Sequence, residues 1–292
     1  MKTVSGKKEQ KGIVMELLKG VTVANRITEE IRQEMEGWRA AIPHLAIVRI
    51  GEREDDLSYE RGAIKRMEKI GFRHTVFAFP ADITNEEFQA EFDQINLNED
   101  IDGILLFRPL PKHIDGKAVE EKIDPRKDLD GISPRNLAKV FAGDTTGYAP
   151  CTAEAVVAVL EDAGIDPTGK RVTVIGRSLV IGKPVSMLLL KKNATVTICH
   201  TKTKDMPKIC KEAEILVAAA GCAKMVTDDY VGKDAIVIDV GINVDEEGNL
   251  CGDVDRESVQ DKAACLTPVP GGVGSVTTSI LARHLLLAAK NR

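Results

Sequence analysis

Apolar residues recur at helical spacing over 20–41, and HLAIVRI at 44–50 is a nearly continuous apolar run of the kind a buried strand shows. From there the pattern switches repeatedly between the two periods. Asp55 or Asp56 is placed to cap a helix running to about Ile70, with Gly71 at its C-terminal stop. A strand is predicted near 74–79, a helix after Thr84, a strand GILLF at 103–107 and a helix near 115–122. The segment 124–150, dense in Pro, Gly and Asp, reads as a linker.

A second alternating series follows it. It comprises a helix over about 152–163, the strand RVTVIG (171–176), a helix from Gly182 and the strand ATVTICH (194–200). Further strands are expected at 215–219 and 235–240, with a short one at 265–267, and a last helix at about 276–290. Strands alternating with helices pair in parallel and are covered on both faces. The fold class is therefore α/β, in two domains with a cleft between them, and no internal repeat is visible.

Composition narrows the function. A chain of 292 residues is too long for one small core and fits two ordinary domains. Its net charge of -5 gives no footprint for nucleic acid or an anionic membrane. No apolar run reaches the roughly 18 to 20 residues needed to span a bilayer. The six cysteines are scattered without a CxxC pair, which argues against a metal site and a disulfide framework and for small buried hydrophobes in a reducing compartment. The first 14 residues are polar and basic, lack the apolar core of a secretory signal, and read as a tail before a folded part starting near Met15. The expected location is the cytoplasm.

Candidate chemistry begins at the first βα unit of the second half. A strand ending at Gly176, a short turn and a helix starting near Gly182, Lys183 and Pro184 suit a dinucleotide pyrophosphate: glycines let the backbone approach it, and free N–H groups at the helix start face its charge. Pro184 fits the first helical turn, where its missing N–H costs nothing. Arg177 and Ser178 add a cation and a hydroxyl. The spacing is G-x5-G, not the GxGxxG fingerprint, so an ordinary strand–helix turn stays open. The next strand ends in His200, Thr201 and Lys202 with no carboxylate before Asp205, which tilts the choice towards NADP, with NAD possible.

Seven further segments occur in a telling order: DPRKDLDG (124–131), PCT (150–152), GRSLVIGKP (176–184), ATVTICHTKT (194–203), VIDVGIN (237–243), GDV (252–254) and TPVPGGVG (267–274). From about Leu17 to the C-terminus the chain closely resembles the bifunctional methylenetetrahydrofolate dehydrogenase/methenyltetrahydrofolate cyclohydrolase family. The resemblance implies a catalytic, folate-binding α/β domain over 15–148, a Rossmann-like nicotinamide-binding domain over 149–275, and a C-terminal helix, 276–292, returning to the first domain. It also implies a homodimer acting on tetrahydrofolate derivatives. In it Asp130 matches the carboxylate holding the pterin, and Tyr59 the ring stacked on the aminobenzoyl group. Pro268, Gly271 and Gly272 match the loop lining the cleft. Gly176 to Pro184 match the pyrophosphate turn, His200 and Thr201 lie near the adenosine ribose, and Ile242 lies near the nicotinamide. Taken singly, DLDG is also an ordinary tight turn and Tyr59 ordinary helix packing.

Two departures bear on activity. The family motif Tyr-x-x-x-Lys reads Tyr59-Glu60-Arg61-Gly62-Ala63 here, so the catalytic lysine is replaced by Ala63. Lys65 lies about 200° further around the helix and should face away. Arg66, one turn on, could reach back, but a guanidinium is no base near neutral pH. The family's Val-Gln-Leu-Pro reads Leu106-Phe107-Arg108-Pro109, so the lysine's polar partner is replaced by Phe107. Ala153, Ala155, Ser275 and Val276 are smaller departures. Hydride transfer depends on alignment, whereas hydrolysis of the methenyl cation must also move protons. The expectation is a methylenetetrahydrofolate dehydrogenase with little or no cyclohydrolase activity. Two alternatives stay open: a catalytically silent folate- or nucleotide-binding paralogue, and an enzyme whose substrate is altered by Phe107 and Arg108.

Overall fold

The computed structural model describes residues 15–292, and the expected tail over 1–14 lies outside them. The chain runs through β1 (Glu16–Leu17), α1 (Gly20–Met35), β2 (His44–Ile50), α2 (Glu54–Ile70), β3 (Arg73–Phe79), α3 (Asn85–Leu97), β4 (Gly103–Leu106), α4 (Gly116–Lys122) and α5 (Pro134–Ala142). It continues through α6 (Cys151–Asp162), β5 (Arg171–Ile175), α7 (Gly182–Lys191), β6 (Thr195–Cys199), α8 (Met206–Lys211), β7 (Ile215–Ala218) and β8 (Ala235–Asp239). The last elements are β9 (Asn243–Val244), β10 (Leu250–Cys251), α9 (Arg256–Val259), β11 (Ala263–Leu266) and α10 (Thr277–Lys290).

Two parallel sheets carry the molecule. The first has the order β3-β2-β4 and the second β1-β11-β8-β7-β5-β6, with β9 and β10 forming a small antiparallel pair beside them. Helices cover both faces of the first sheet. Phe88, Phe92 and Ile95 of α3 pack with Ala46, Val48 and Leu106 on one side. On the other, Ile27 of α1, Met67 of α2 and Leu281 of α10 pack with Leu45, Ile47 and Leu105. That second cluster continues through α6 into Val172, Val174, Val185 and Leu189 of the second sheet's layer, so one apolar core runs under the cleft. Parallel strands buried on both faces must read as unbroken apolar runs, and β7 is buried at every position.

Local chemistry explains the helix ends. Thr84 and Glu87 form a reciprocal capping box at the start of α3. Gly71 ends α2 in the left-handed region at φ 90°, its N–H reaching back to Met67. The start of α2 differs from expectation: it begins at Glu54, and Asp56 lies inside the first turn, where it pairs with Arg53 at 2.7 Å and complements the helix dipole.

The segment expected as a linker holds α5. Ser133 caps it by accepting from the Asn136 N–H, Pro134 opens it and Gly143 closes it at φ 71°. A Pro and a Gly of the kind that suggested a loop, together with Ser133, are the helix's own boundary residues. A second difference lies at the N-terminus. Glu16 and Leu17, expected with the first domain, pair in parallel with Cys265 and Leu266 and extend the second sheet. Leu18 follows them into the shared core and donates to the Leu266 carbonyl, so main-chain pairing, invisible to hydrophobic period, decides where this segment goes.

Candidate active site

The DLDG turn separates two aspartates by role. Asp128 is buried and accepts from the N–H groups of Ile132 and Ser133, at 2.9 and 2.8 Å, and from the Asn136 amide at 2.9 Å. It builds the turn. Gly131 has φ 59°, and a side chain there would run into the backbone at Tyr148–Pro150. Asp130, held between them, accepts the Cys151 N–H at 2.9 Å at the start of α6. Burial raises its pKa above the ordinary carboxylate range, opposed by that N–H and by the charge of Arg108.

Tyr59 stands on α2 beside this carboxylate. Burial pushes its phenol well above the ordinary value, and the charge of Asp130 adds to the shift. Its ring meets Phe107 edge-on, with centroids 5.8 Å apart. Ala63, one turn further along α2, is fully buried in the same apolar cluster as Phe107. Lys65 is exposed. Arg66 does not reach back towards Ala63: its guanidinium donates to the Thr28 hydroxyl at 2.7 Å and to Thr278 at 3.5 Å, between α1 and α10. Arg108 pairs with Glu120 at 3.2 Å. It borders a cavity of about 790 Å³ formed by the β4–α4 loop, with Val180 facing in from the turn after β5.

That turn sits where the second sheet reverses its winding. From β5 the chain goes out to β6 at one edge and returns to β7 on the other side of β5. Such a switch opens a crevice at the carboxyl ends of the strands. Gly176 lies in it at φ 129°, where a side chain would collide with the Ala219 carbonyl beyond β7. A side chain at Gly182 would collide with the Gly176 carbonyl, so each glycine is there for close backbone approach. No side chain caps α7 and no acid lies in its first turn, which leaves its positive end available to an anion. The Ser178 hydroxyl accepts from Ile181 at 3.1 Å, Arg177 and Lys183 are exposed, and Pro184 is buried in the first helical turn.

At the end of β6, the Gly176 N–H donates to the Cys199 carbonyl at 2.9 Å, which sets the following loop beside the glycine turn. His200 accepts from the Lys202 N–H at 3.1 Å through Nδ1, and Thr201 and Lys202 are exposed. Backbone of this form with a pocketed glycine pair, an uncapped helix and a basic, hydroxyl-bearing rim fits a dinucleotide.

A buried carboxylate pair, not singled out as a site in the sequence, frames the remaining side. Asp239, at the end of β8, accepts from the N–H groups of Gly241, Asp253 and Val254, each at 3.0 Å. Asp253 accepts from Ala220, Gly221 and Cys222 at 2.6, 3.0 and 2.9 Å, and from the Asn243 amide at 2.9 Å. Burial raises Asp239 to about 6 against these donors. The signal was present as the D of VIDVGIN and of GDV, but isolated aspartates beside glycines read equally as turns.

The loop after β11 joins the two halves. Gly271 accepts from the Gly20 N–H at 2.9 Å, and Gly272 is buried against Pro268 and Gly20, which fixes the loop on the start of α1. Ile242 is 66% exposed, and its tip comes within 3.4 Å of where a side chain on Gly274 would begin. Thr277 donates to the Gly274 carbonyl at 3.0 Å. Ile242 thus lies against the same short loop, 272–277, that leads into α10.

Residues 18–130 match the model of the tetrahydrofolate dehydrogenase/cyclohydrolase catalytic domain, and residues 150–292 that of the family's NAD(P)-binding domain. The chain belongs to this family. Among its relatives, the bifunctional protein FolD of Clostridioides difficile (strain 630) is 53% identical over 277 residues, covering 94% of this chain and 96% of that protein. The FolD of Carboxydothermus hydrogenoformans is 49% identical, with 94% and 97% covered. The crystal structure of FolD from Campylobacter jejuni superposes with a TM-score of 0.90 at 36% identity, covering 95% of this chain and 99% of that one. The Trypanosoma brucei enzyme, solved with NADP cofactor and inhibitor, gives 0.89 at 35% identity, with 95% and 98% covered.

Membership fixes the two-domain α/β architecture and its Rossmann-like NAD(P)-binding half. Among the described residues no helix is long and apolar enough to cross a membrane, and no cluster of His, Cys, Asp and Glu is arranged to hold a metal. The described cysteines are all free, with Cys222 exposed and Cys265 half-buried.

Proposed function

We propose that this family member oxidises 5,10-methylenetetrahydrofolate to the 5,10-methenyl form, with NADP as its nucleotide, and hydrolyses the methenyl product poorly. The folate part comprises 15–148, apart from the Glu16–Leu17 strand that joins the second sheet, and is closed by the C-terminal helix, 276–292; the nucleotide part comprises 149–275. Asp130 holds the pterin and Tyr59 stacks on the aminobenzoyl ring, with Pro268, Gly271 and Gly272 shaping the wall between them. Gly176, Arg177, Ser178, Gly182, Lys183 and Pro184 receive the pyrophosphate. His200, Thr201 and Lys202 accommodate the additional ribose phosphate of NADP, and Ile242 packs against the nicotinamide. That ring, when bound, supplies the hydride acceptor.

One observation carries the functional reading: Ala63 is buried against apolar side chains, and Phe107 touches Tyr59 where the family has a lysine and a glutamine. Hydride transfer asks the chain only to align donor and acceptor and keep water out, which Tyr59, Asp130 and the 272–277 segment suit. Hydration of the methenyl cation also needs a group that takes and returns a proton near neutral pH. Tyr59, its phenol raised by burial, and Arg66, held by Thr28, do not supply one.

The test is a spectrophotometric assay with methylenetetrahydrofolate and either NADP or NAD, following reduced nucleotide and methenyl product together. Accumulation of both, faster with NADP, is expected. Methenyl disappearing faster than in an enzyme-free blank would remove the hydrolysis claim, and no reduction of either nucleotide would remove the dehydrogenase. The protein is further proposed to be a homodimer, which sedimentation would check.

A further inference from the structure

Behind Asp130 lies a charged network that the reaction as described does not use. His284 of α10 is 3% exposed. Its Nδ1 is 2.7 Å from the Leu129 carbonyl, the residue preceding Asp130. Its Nε2 is 2.8 Å from Oε2 of Glu154 on α6, whose other oxygen accepts from Arg283 at 2.6 Å. A carbonyl oxygen has no proton to give, so Nδ1 must carry one. The adjacent Arg283 keeps Glu154 ionised, so Nε2 must carry the other. Only the imidazolium satisfies both contacts.

The surroundings agree with that state. Burial pulls His284 down, but the charge and hydrogen bond of Glu154 and the Leu129 carbonyl outweigh it, and its pKa is raised overall. The other groups facing the ring are the Cys151 thiol, 3.9 Å from Nδ1 and held protonated by burial, and the Tyr148 ring, with centroids 5.1 Å apart. Arg283, on its own helix, is the opposing cation.

We propose that the Glu154–His284 ion pair is a positioning device for Asp130. The imidazolium pins the Leu129 carbonyl on one side of the Asp130 backbone, while α6, which carries Glu154, also supplies the Cys151 N–H to the Asp130 carboxylate. The Leu129 side chain is locked beneath Gly103, where even a Cβ would overlap it. One ion pair thus fixes α6, α10 and the Leu129–Asp130 peptide together, and with them the angle at which the carboxylate meets the folate. The inference rests on the reading of Asp130 as the folate carboxylate.

The experiment uses the full chain with Glu154→Gln, His284→Asn and Asp130→Asn, alone and combined. Nitrogen-15 NMR of the wild-type histidine rings should show His284 protonated on both nitrogens above pH 6.5, where an ordinary histidine is mostly neutral, and a singly protonated ring there would overturn the proposal. In Glu154→Gln, or in His284→Asn if the first folds poorly, KM for methylenetetrahydrofolate should rise at least fivefold. KM for the nucleotide and kcat should stay within twofold. In the Asp130→Asn background the same change should add nothing, because the group being positioned is gone. Equal increases in both KM values, or an effect that persists beside Asp130→Asn, would mark a merely structural pair and overturn the inference. Wild-type protein that neither oxidises methylenetetrahydrofolate nor binds tetrahydrofolate by calorimetry would overturn the Asp130 reading as well, so the two failures are distinct.

Discussion

Tyr59 and Phe107 meet edge to face, with ring planes at 88°. The contact joins α2 to the end of β4 and fills with carbon the place where a polar pair would work. Aromatic pairs of this geometry add about 0.5–1.5 kcal/mol beyond the area they bury. The apolar site is thus a stable arrangement.

Ala63→Lys alone should be poorly tolerated, because an unpaired buried ammonium costs several kcal/mol. The double variant Ala63→Lys, Phe107→Gln supplies a partner and should recover part of that stability. It should also hydrolyse methenyltetrahydrofolate about 10-fold or more faster than the parent, within the range a positioned acid–base group contributes. Decay of methenyl absorbance against a blank measures this, and a folded double variant no faster than the parent would refute the assignment.

Asp130 should impose an acid limb on kcat/KM. Its raised pKa means that the carboxylate is protonated at a pH where an exposed aspartate, at about 3.9, is already charged. Activity should rise as pH climbs through this value and be flat in Asp130→Asn, with folate KM raised and nucleotide KM unchanged. A pH–rate series on both proteins decides it.

Gly182→Ala places a methyl group against the Gly176 carbonyl and should push the turn out of shape. Nucleotide binding should weaken by about 10-fold or more, since misplacement of about 1 Å already costs a factor near 100 in aligned chemistry. Tetrahydrofolate affinity, measured separately by calorimetry, should be unchanged. Loss of both would point to general unfolding.

Thr201→Asp introduces a carboxylate at the end of β6, where it can accept from a ribose hydroxyl but repels a phosphate. The ratio of kcat/KM for NADP over NAD should fall by about 10-fold or more, a discrimination of roughly 1.4 kcal/mol. An unchanged ratio would place the phosphate elsewhere.

Asp253→Ala leaves the N–H groups of Ala220, Gly221 and Cys222 without their acceptor. Asp253 is buried, but Ala220, Gly221 and Cys222 are exposed, so water can replace part of what their N–H groups lose. Hydrogen bonds to a charged group are worth about 1.5–3 kcal/mol, and urea denaturation should show a loss of about that size. Denaturation within about 0.5 kcal/mol of the parent, the range of an ordinary surface change, would contradict the network's role.

The sequence by itself determined the alternation of strands and helices, the glycine turn after β5 and the identity of the family. Apolar period, capping residues and motif order are local properties, and they survive without coordinates. Thr84 and Gly71 mark their helix ends because a cap needs only its neighbours. Helix α5 was hidden because its capping Ser133, Pro134 and Gly143 are also what a loop contains.

Tertiary structure alone decided the rest, because it depends on which distant groups share a proton or a surface. Asp128 and Asp130 are alike in DLDG, and only the donors around them make one the turn and leave the other facing Cys151. Glu154 and His284 lie 130 positions apart, and no local pattern announces that they form an ion pair. Glu16 and Leu17 join the second sheet through main-chain hydrogen bonds, which every sequence offers equally and only an available strand edge can accept.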